Sequence, residues 1–239
     1  MSYSILMLCL LFSPNFEQGA SQPKRILFIG NSLTYTNELP VLVQQFFVSL
    51  KQPKPFVEAF TEPGASLGDH WQLPRTGKRI VEGKWDYIIL QQGPSSLAAS
   101  QKEFMKDMET GKQFFKQTKA KVCLFMVWPE SNRKQYFPQV RQAYASAAKS
   151  VNGLFLPAGI ALKEVQKNAP KLALFTDGLH PTPLGTFLAG YVIAAKLTGT
   201  DAEQLPAQFH WKQYEIKLNQ ADYQNCLEAV RIALKDEGK

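Results

Sequence analysis

From Pro23 onward, short runs of uniformly apolar residues alternate with longer stretches whose apolar groups recur at helical spacing. Arg25 to Ile29 (RILFI), Phe56 to Phe60, Tyr87 to Leu90 (YIIL), Lys121 to Val127 (KVCLFMV) and Gly153 to Leu156 read as five strands, the second weaker than the others. Helical patterns cover Glu38 to Leu50, Ser66 to Val81 (broken, with Pro74 inside), Lys102 to Thr118, Gln135 to Val151, Ile160 to Lys167, Pro183 to Leu197 and Gln220 to Leu234. A strand with one wet face alternates apolar and polar residues, whereas a strand that is apolar throughout is covered on both faces. Strands of the second kind, separated by helices, predict an α/β chain: a three-layer α/β/α sandwich with a five-stranded parallel sheet, flavodoxin-like in the broad sense. The chain of 239 residues suits a single domain over 23–239 with a well-buried core.

The net charge of +7 bears on the choice of partner. A nucleic-acid surface gathers its basic residues beside exposed aromatics. Here they are spread along the chain, with the densest run, Lys51 to Lys54, between elements, so nucleic acid is not the expected partner. Ahead of the fold, Ile5 to Phe12 (ILMLCLLF) is apolar. It is too short for the ~20 residues of a bilayer span but has the length of a signal-peptide core, and small polar residues follow it. The expectation is a signal peptide and short linker over 1–22, an exported (periplasmic or extracellular) protein and no stable membrane span. No Lys or Arg precedes the run, so a tail outside the fold is the competing reading. Cys9 lies in this run after Leu8, a poor match to a lipidation site, while Cys123 and Cys226 lie on apolar faces and read as buried thiols. Three cysteines make no disulfide framework, and no His/Cys cluster has zinc-ligand spacing. Nothing in the pattern speaks to oligomeric state.

In a parallel α/β sheet, ligands bind beyond the carboxyl ends of the strands. Those ends carry GNSLT (Gly30 to Thr34), EPGASLGDHW (Glu62 to Trp71), QQGPSS (Gln91 to Ser96) and WPESN (Trp128 to Asn132); late in the chain comes TDGLHPTPLG (Thr176 to Gly185). The chemistry that fits this set is nucleophilic acyl transfer. A serine hydroxyl needs a base within reach, the base needs a carboxylate to orient it, and the oxyanion needs preorganised N–H donors. Ser32, at a strand-to-helix turn, is the candidate nucleophile; His180 and Asp177, three apart in one loop, are the candidate base and its orienter. Each also has a plainer reading: Ser32 as a helix cap, His180 as a loop histidine, Asp177 as a turn former beside Gly178. What favours the reactive reading is that all three fall where acyl transfer requires them.

GNSLT after a short strand resembles the first sequence block of the SGNH (GDSL-like) hydrolases, whose serine is the nucleophile. DGLHP resembles their last block, which holds an Asp-x-x-His pair, and GASL resembles the second, whose glycine N–H serves the oxyanion and maps to Gly64. The likeness runs from about Arg25 to Leu197. The family's common third block, Gly-x-Asn-Asp, is replaced by Gln92-Gly93-Pro94-Ser95. That stretch resembles the Gln-Gly-x-Ser of carbohydrate O-acetylesterase branches. A Gln amide supplies the same N–H donor as Asn with one more methylene of reach.

The resemblance implies an SGNH-hydrolase fold and a serine esterase that needs no metal or cofactor, acting on a small-molecule or glycan ester, with an O-acetylated carbohydrate the expected substrate. The oxyanion hole would be Ser32, Gly64 and Gln92. Gln91 competes with Gln92, since strand alternation sends their side chains to opposite faces. Asn31, Gln91, Trp71 and Trp128 are candidate substrate-binding residues; for the two indoles, core or rim packing competes with stacking on a sugar. His70 reads as structural or pocket-lining, and His210, in a polar connection, has no assigned role. Two rival functions remain. One is a non-catalytic glycan-binding or surface protein that keeps the fold. The other is a phosphate- or nucleotide-binding protein with its anion at GNSLT; that loop lacks the glycines and lysine of a P-loop and leaves Asp177 and His180 unexplained.

Overall fold

The computed structural model describes residues 22–238; the apolar run Ile5 to Phe12, Cys9 and the expected signal peptide lie outside them. Five strands, β1 (Arg25–Gly30), β2 (Phe56–Thr61), β3 (Tyr87–Leu90), β4 (Lys121–Phe125) and β5 (Leu154–Leu156), form one sheet in the order β2-β1-β3-β4-β5. All four pairings are parallel, with Arg25 opposite Phe56, Ile26 opposite Tyr87, Tyr87 opposite Lys121 and Cys123 opposite Leu154. The central strands are buried, and β2 is only partly covered, as an edge strand is. This accounts for its weaker apolar pattern.

Nine helices accompany these strands among the described residues: α1 (Ser32–Tyr35), α2 (Leu39–Ser49), α3 (Leu67–Gln72), α4 (Pro74–Glu82), α5 (Ala98–Phe115), α6 (Phe137–Ser150), α7 (Ala158–Asn168), α8 (Pro183–Thr198) and α9 (Gln220–Lys235). Contacts divide the longer ones into two layers. α2 packs on α8, which with α7 and α9 forms one layer; α3 and α4 pack on α5, and α5 on α6, forming the other. That division follows from right-handed crossovers. The β1-to-β2 step runs one way along the sheet and the next three steps run the other, so their helices take opposite faces. The sandwich predicted from the sequence is the one observed.

Local chemistry sets the breaks. Pro74 cannot continue α3; Leu73 before it is extended (φ −87°, ψ 110°), and the proline opens α4 at its first position. Pro138 falls in the first turn of α6, where its missing N–H costs nothing. α5 begins four residues before the predicted Lys102, because Ala98 and Ala99 favour a helix without marking a face.

An antiparallel hairpin, β6 (Gln208–Trp211) and β7 (Tyr214–Lys217), was not predicted; its residues read as a polar connection. Its two-residue turn is Lys212-Gln213 with Lys212 at φ +50°, and carries none of the Asn-Gly chemistry that announces a tight turn. The hairpin is held by aromatic packing. Phe209 stacks on Phe46 of α2 at 4.5 Å, and Phe46 also meets Phe187 at 5.5 Å and Tyr191 at 5.4 Å on α8.

Phe46 thus joins α2, α8 and the hairpin with its side chain wholly buried. Phe46→Ala is expected to lower unfolding free energy by about 3–5 kcal/mol, measured by urea denaturation.

Candidate active site

With strand order 2-1-3-4-5, the connections leaving β1 and β3 diverge, and the crevice between the two strand ends is where such sheets bind ligands. Ser32 follows β1 there, and Gln91 and Gln92 follow β3. The turn after β1 is built to leave the Ser32 hydroxyl free. Asn31, not Ser32, caps α1: its side-chain oxygen accepts the Leu33 N–H at 3.1 Å. Asn31 Nδ2 donates to the Ala65 carbonyl at 3.1 Å, tying the turn to the loop after β2.

Gln91 supports the turn from below. Its Oε1 accepts the Asn31 N–H at 2.9 Å and the Thr34 hydroxyl at 2.8 Å, and its Nε2 donates to the Gln92 carbonyl at 2.6 Å. Gly30 must be glycine for this, since a Cβ would lie 2.6 Å from Gln91 Oε1 and 2.5 Å from Thr34 Oγ1. His70, buried on α3, donates from Nε2 to the Gly30 carbonyl at 2.8 Å, because a carbonyl can only accept. Its role is structural; Nδ1 has no partner among the described residues.

The loop that presents His180 is equally fixed. An isolated bridge between Phe175 and Pro181 closes it, and the Thr176 N–H donates to the His180 carbonyl at 2.9 Å. The chain after β4 grips its other carbonyls. Trp128 Nε1 donates to Leu179 O at 2.8 Å; the Ser131 N–H and hydroxyl both donate to Gly178 O, at 2.8 and 3.0 Å. Gly178 has φ +87°, which favours glycine, and a Cβ there would crowd Ser131 Oγ at 3.1 Å.

These supports bring together side chains 148 positions apart: Ser32 Oγ lies 2.9 Å from His180 Nε2. His180 Nδ1 lies 2.6 Å from Asp177 Oδ2, while Asp177 Oδ1 accepts the Leu179 and His180 backbone N–H groups at 3.0 and 2.8 Å. The His180 side chain, then those two N–H groups, hold the Asp177 carboxyl far below the usual carboxylate range. An ionised carboxylate accepts from Nδ1–H, so Nε2 carries the lone pair and faces the hydroxyl. Such a chain can take a proton from an attacking serine.

Three N–H donors in the loops after β1, β2 and β3 are unengaged among the described residues. The backbone N–H groups of Ser32 and Gly64 make no hydrogen bond to another described residue. Gly64 is exposed and sits at φ +68° in a turn with Pro63 before it, closed by Ala65 N–H to Glu62 O at 3.3 Å. Gln92 Oε1 accepts the Leu67 N–H at 2.7 Å, which fixes the amide orientation and leaves Nε2 without a partner among the described residues. Gln91, by contrast, has both ends of its amide engaged, which makes it a support rather than a donor to ligand.

The two indoles are packed rather than presented. Trp71 donates to the Asp107 carbonyl at 2.8 Å and lies against Phe114 and Phe115; Trp128 is 3% exposed and lies against Phe175. A ring that covered has no face for a sugar, so the stacking expectation gives way to packing for both. Sequence reasoning missed Ser131 and the supporting role of Trp128, for which only the WPESN strand-end signal pointed to the segment.

No protein-family model matches the chain, and no curated protein matches it by sequence. Solved structures do. A protein of Slackia heliotrinireducens, described as a candidate SGNH hydrolase, superposes with TM-score 0.64 at 21% identity, covering 74% of this chain and 100% of its own. An acetyl xylan esterase variant from Geobacillus stearothermophilus gives 0.61 at 15% identity, covering 74% and 95%. A DUF4886-family protein of Bacteroides uniformis gives 0.66 at 16% identity, covering 91% and 97%. The chain has the SGNH-hydrolase fold. At these identities the likeness carries the fold, and the chemistry rests on the side chains above. GNSLT and DGLHP, the two segments whose likeness to that family's first and last blocks is given above, are the ones joined here by Ser32 and His180.

Asp177 is expected to stay ionised well below the usual carboxylate range, because it accepts from the His180 ring and from two backbone N–H groups. Carbon-13 NMR of its side-chain carboxyl across a pH titration checks this. In Asp177→Asn the His180 ring is expected to shift toward the Nε2–H tautomer, read by nitrogen-15 NMR of the ring.

Proposed function

We propose that this protein is a serine esterase that hydrolyses an ester through an acyl-serine intermediate. The observation that carries the reading is the Ser32–His180–Asp177 hydrogen-bonded chain, supported by unengaged N–H donors in the loops after β1, β2 and β3. Ser32 Oγ attacks the carbonyl carbon as His180 Nε2 takes its proton, and the imidazolium formed is stabilised by Asp177. The oxyanion is met by the Ser32 and Gly64 N–H groups and Gln92 Nε2. Collapse releases the alcohol, protonated by His180; water, deprotonated by the same nitrogen, then frees the serine.

For the substrate we propose an O-acetyl group on a carbohydrate. Two observations support this: the Gln92-Gly93-Pro94-Ser95 segment after β3, and the acetyl xylan esterase variant among the structures of the same fold. Ser32 and His180 are half-buried and reachable from solvent, which suits a small acyl group on a large alcohol. An exported location, expected from the leader-like run, fits a glycan substrate; among the described residues no helix is long and apolar enough to cross a membrane.

Purified protein is expected to hydrolyse p-nitrophenyl acetate and to release acetate from acetylated xylan faster than it cleaves long-chain esters. Ser32→Ala is expected to abolish both; unchanged turnover in that variant rejects the nucleophile, and a wild-type protein inert to every ester favours a glycan binder. Gln92→Glu keeps the acceptor for the Leu67 N–H but replaces the donor, and should lower kcat by about 100-fold or more.

A further inference from the structure

The chain leaves α1 through two successive residues in the left-handed region, Asn37 at φ +53° and Glu38 at φ +56°. Asn tolerates that region, whereas Glu does not readily, and backbone strain of this kind persists only where surroundings enforce it. The Glu38 side chain reaches Lys212 at 3.3 Å, a largely exposed pair worth little. Asn37 is held far more firmly. Its side-chain amide donates one hydrogen to Pro181 O at 2.8 Å and the other to Thr186 Oγ1 at 2.8 Å, across 144 and 149 positions of sequence. Its backbone carbonyl accepts from Trp211 Nε1 at 2.9 Å, and Trp211 is 2% exposed.

The placement of these bonds is the point of interest. Asn37 is five residues after Ser32, Pro181 follows His180 directly, and Thr186 lies buried in the first turns of α8. Among the described residues, the hydrogen bonds between the segment 31–38 and the segment 174–186 are the Ser32–His180 bond and the two from Asn37. The base loop is otherwise gripped from the opposite side, by Trp128 and Ser131, and the serine turn by Gln91. Neither set of supports measures one group against the other.

We propose that Asn37 is the positioning residue that sets the distance between Ser32 and His180, and that the hairpin β6–β7 holds Asn37 in place through Trp211. This rests on the esterase reading above. An amide with both hydrogens committed ties the serine segment to the base loop at two points, and the indole prevents the strained turn from relaxing away. A misplacement of about 1 Å between reacting groups costs roughly 100-fold in rate, so losing this tie affects turnover rather than substrate binding.

Asn37→Gly tests it, because glycine accepts φ +53° without strain and deletes only the side chain. With p-nitrophenyl acetate, kcat is expected to fall 10- to 100-fold with KM within about twofold of wild type and the circular dichroism spectrum retained. Asn37→Asp, which keeps the shape but cannot donate, is expected to fall at least as far. If Asn37→Gly does not fold, Thr186→Val decides: it removes one acceptor at equal volume, and a three- to tenfold loss of kcat at unchanged KM is expected. Wild-type kcat in a folded Asn37→Gly, or in Thr186→Val where the glycine variant fails, overturns the inference. So does a loss confined to melting temperature or to KM. Ser32→Ala assayed alongside separates the two levels: an inactive Ser32→Ala with a fully active Asn37→Gly rejects the positioning role alone, and an active Ser32→Ala rejects both.

Discussion

The chemistry proposed for this molecule depends on one contact, the 2.9 Å approach of Ser32 Oγ to His180 Nε2 across 148 positions of chain. No local propensity produces it. The serine is delivered by the end of β1, a strand buried by neighbours on both sides, and the histidine by a loop stretched between a core position at Leu174 and the start of α8. A parallel sheet fixes the serine at the edge where every strand finishes, and α8 holds the histidine loop against that edge. The sheet supplies coarse placement only. The last adjustment comes from polar side chains that do not themselves face a substrate: Gln91 and His70 beneath the serine turn, Trp128 and Ser131 behind the base loop. Each engages a backbone N–H or carbonyl of the turn or loop it supports, so structure and site geometry are maintained by the same bonds.

Electrostatics completes the arrangement locally. Asp177 is exposed, and the His180 imidazole with two backbone N–H groups holds its carboxyl well below the usual carboxylate range. The two described thiols show the opposite case. Cys226 is pushed up to about 12 by burial, and burial raises Cys123 further still. Neither thiol is poised as a nucleophile, because a thiol attacks only as thiolate.

Much of this was legible in the chain. The sandwich followed from uniformly apolar strand runs, the place of Ser32 from the turn after the first strand, and the pairing of Asp177 with His180 from their spacing in one loop. Three features were not legible, each for a physical reason. The capping role passed from Ser32 to Asn31 because both residues cap well, and only backbone geometry decides which side chain reaches the second N–H. For Trp71 and Trp128 the sequence leaves stacking on a sugar and packing both open, because an indole carries the same composition signal whether its face is open or covered. The hairpin escaped notice because Lys212 takes a positive φ that its residue type does not advertise, and its aromatic anchors matter only against Phe46, far away in sequence. The Gln-Gly-x-Ser resemblance points to Gln92, and strand alternation says only that one of Gln91 and Gln92 faces the crevice. The geometry divides them: the Gln91 amide is engaged at both ends beneath the turn, and Gln92 Nε2 has no partner among the described residues.

The most direct test of the central claim is covalent. A fluorophosphonate probe reacts with a serine only when a base accepts its proton, and peptide mapping by mass spectrometry shows which residue carries the adduct. The account predicts a single adduct on Ser32, lost when His180 is replaced by alanine. No adduct, an adduct at another residue, or equal labelling of His180→Ala would contradict it.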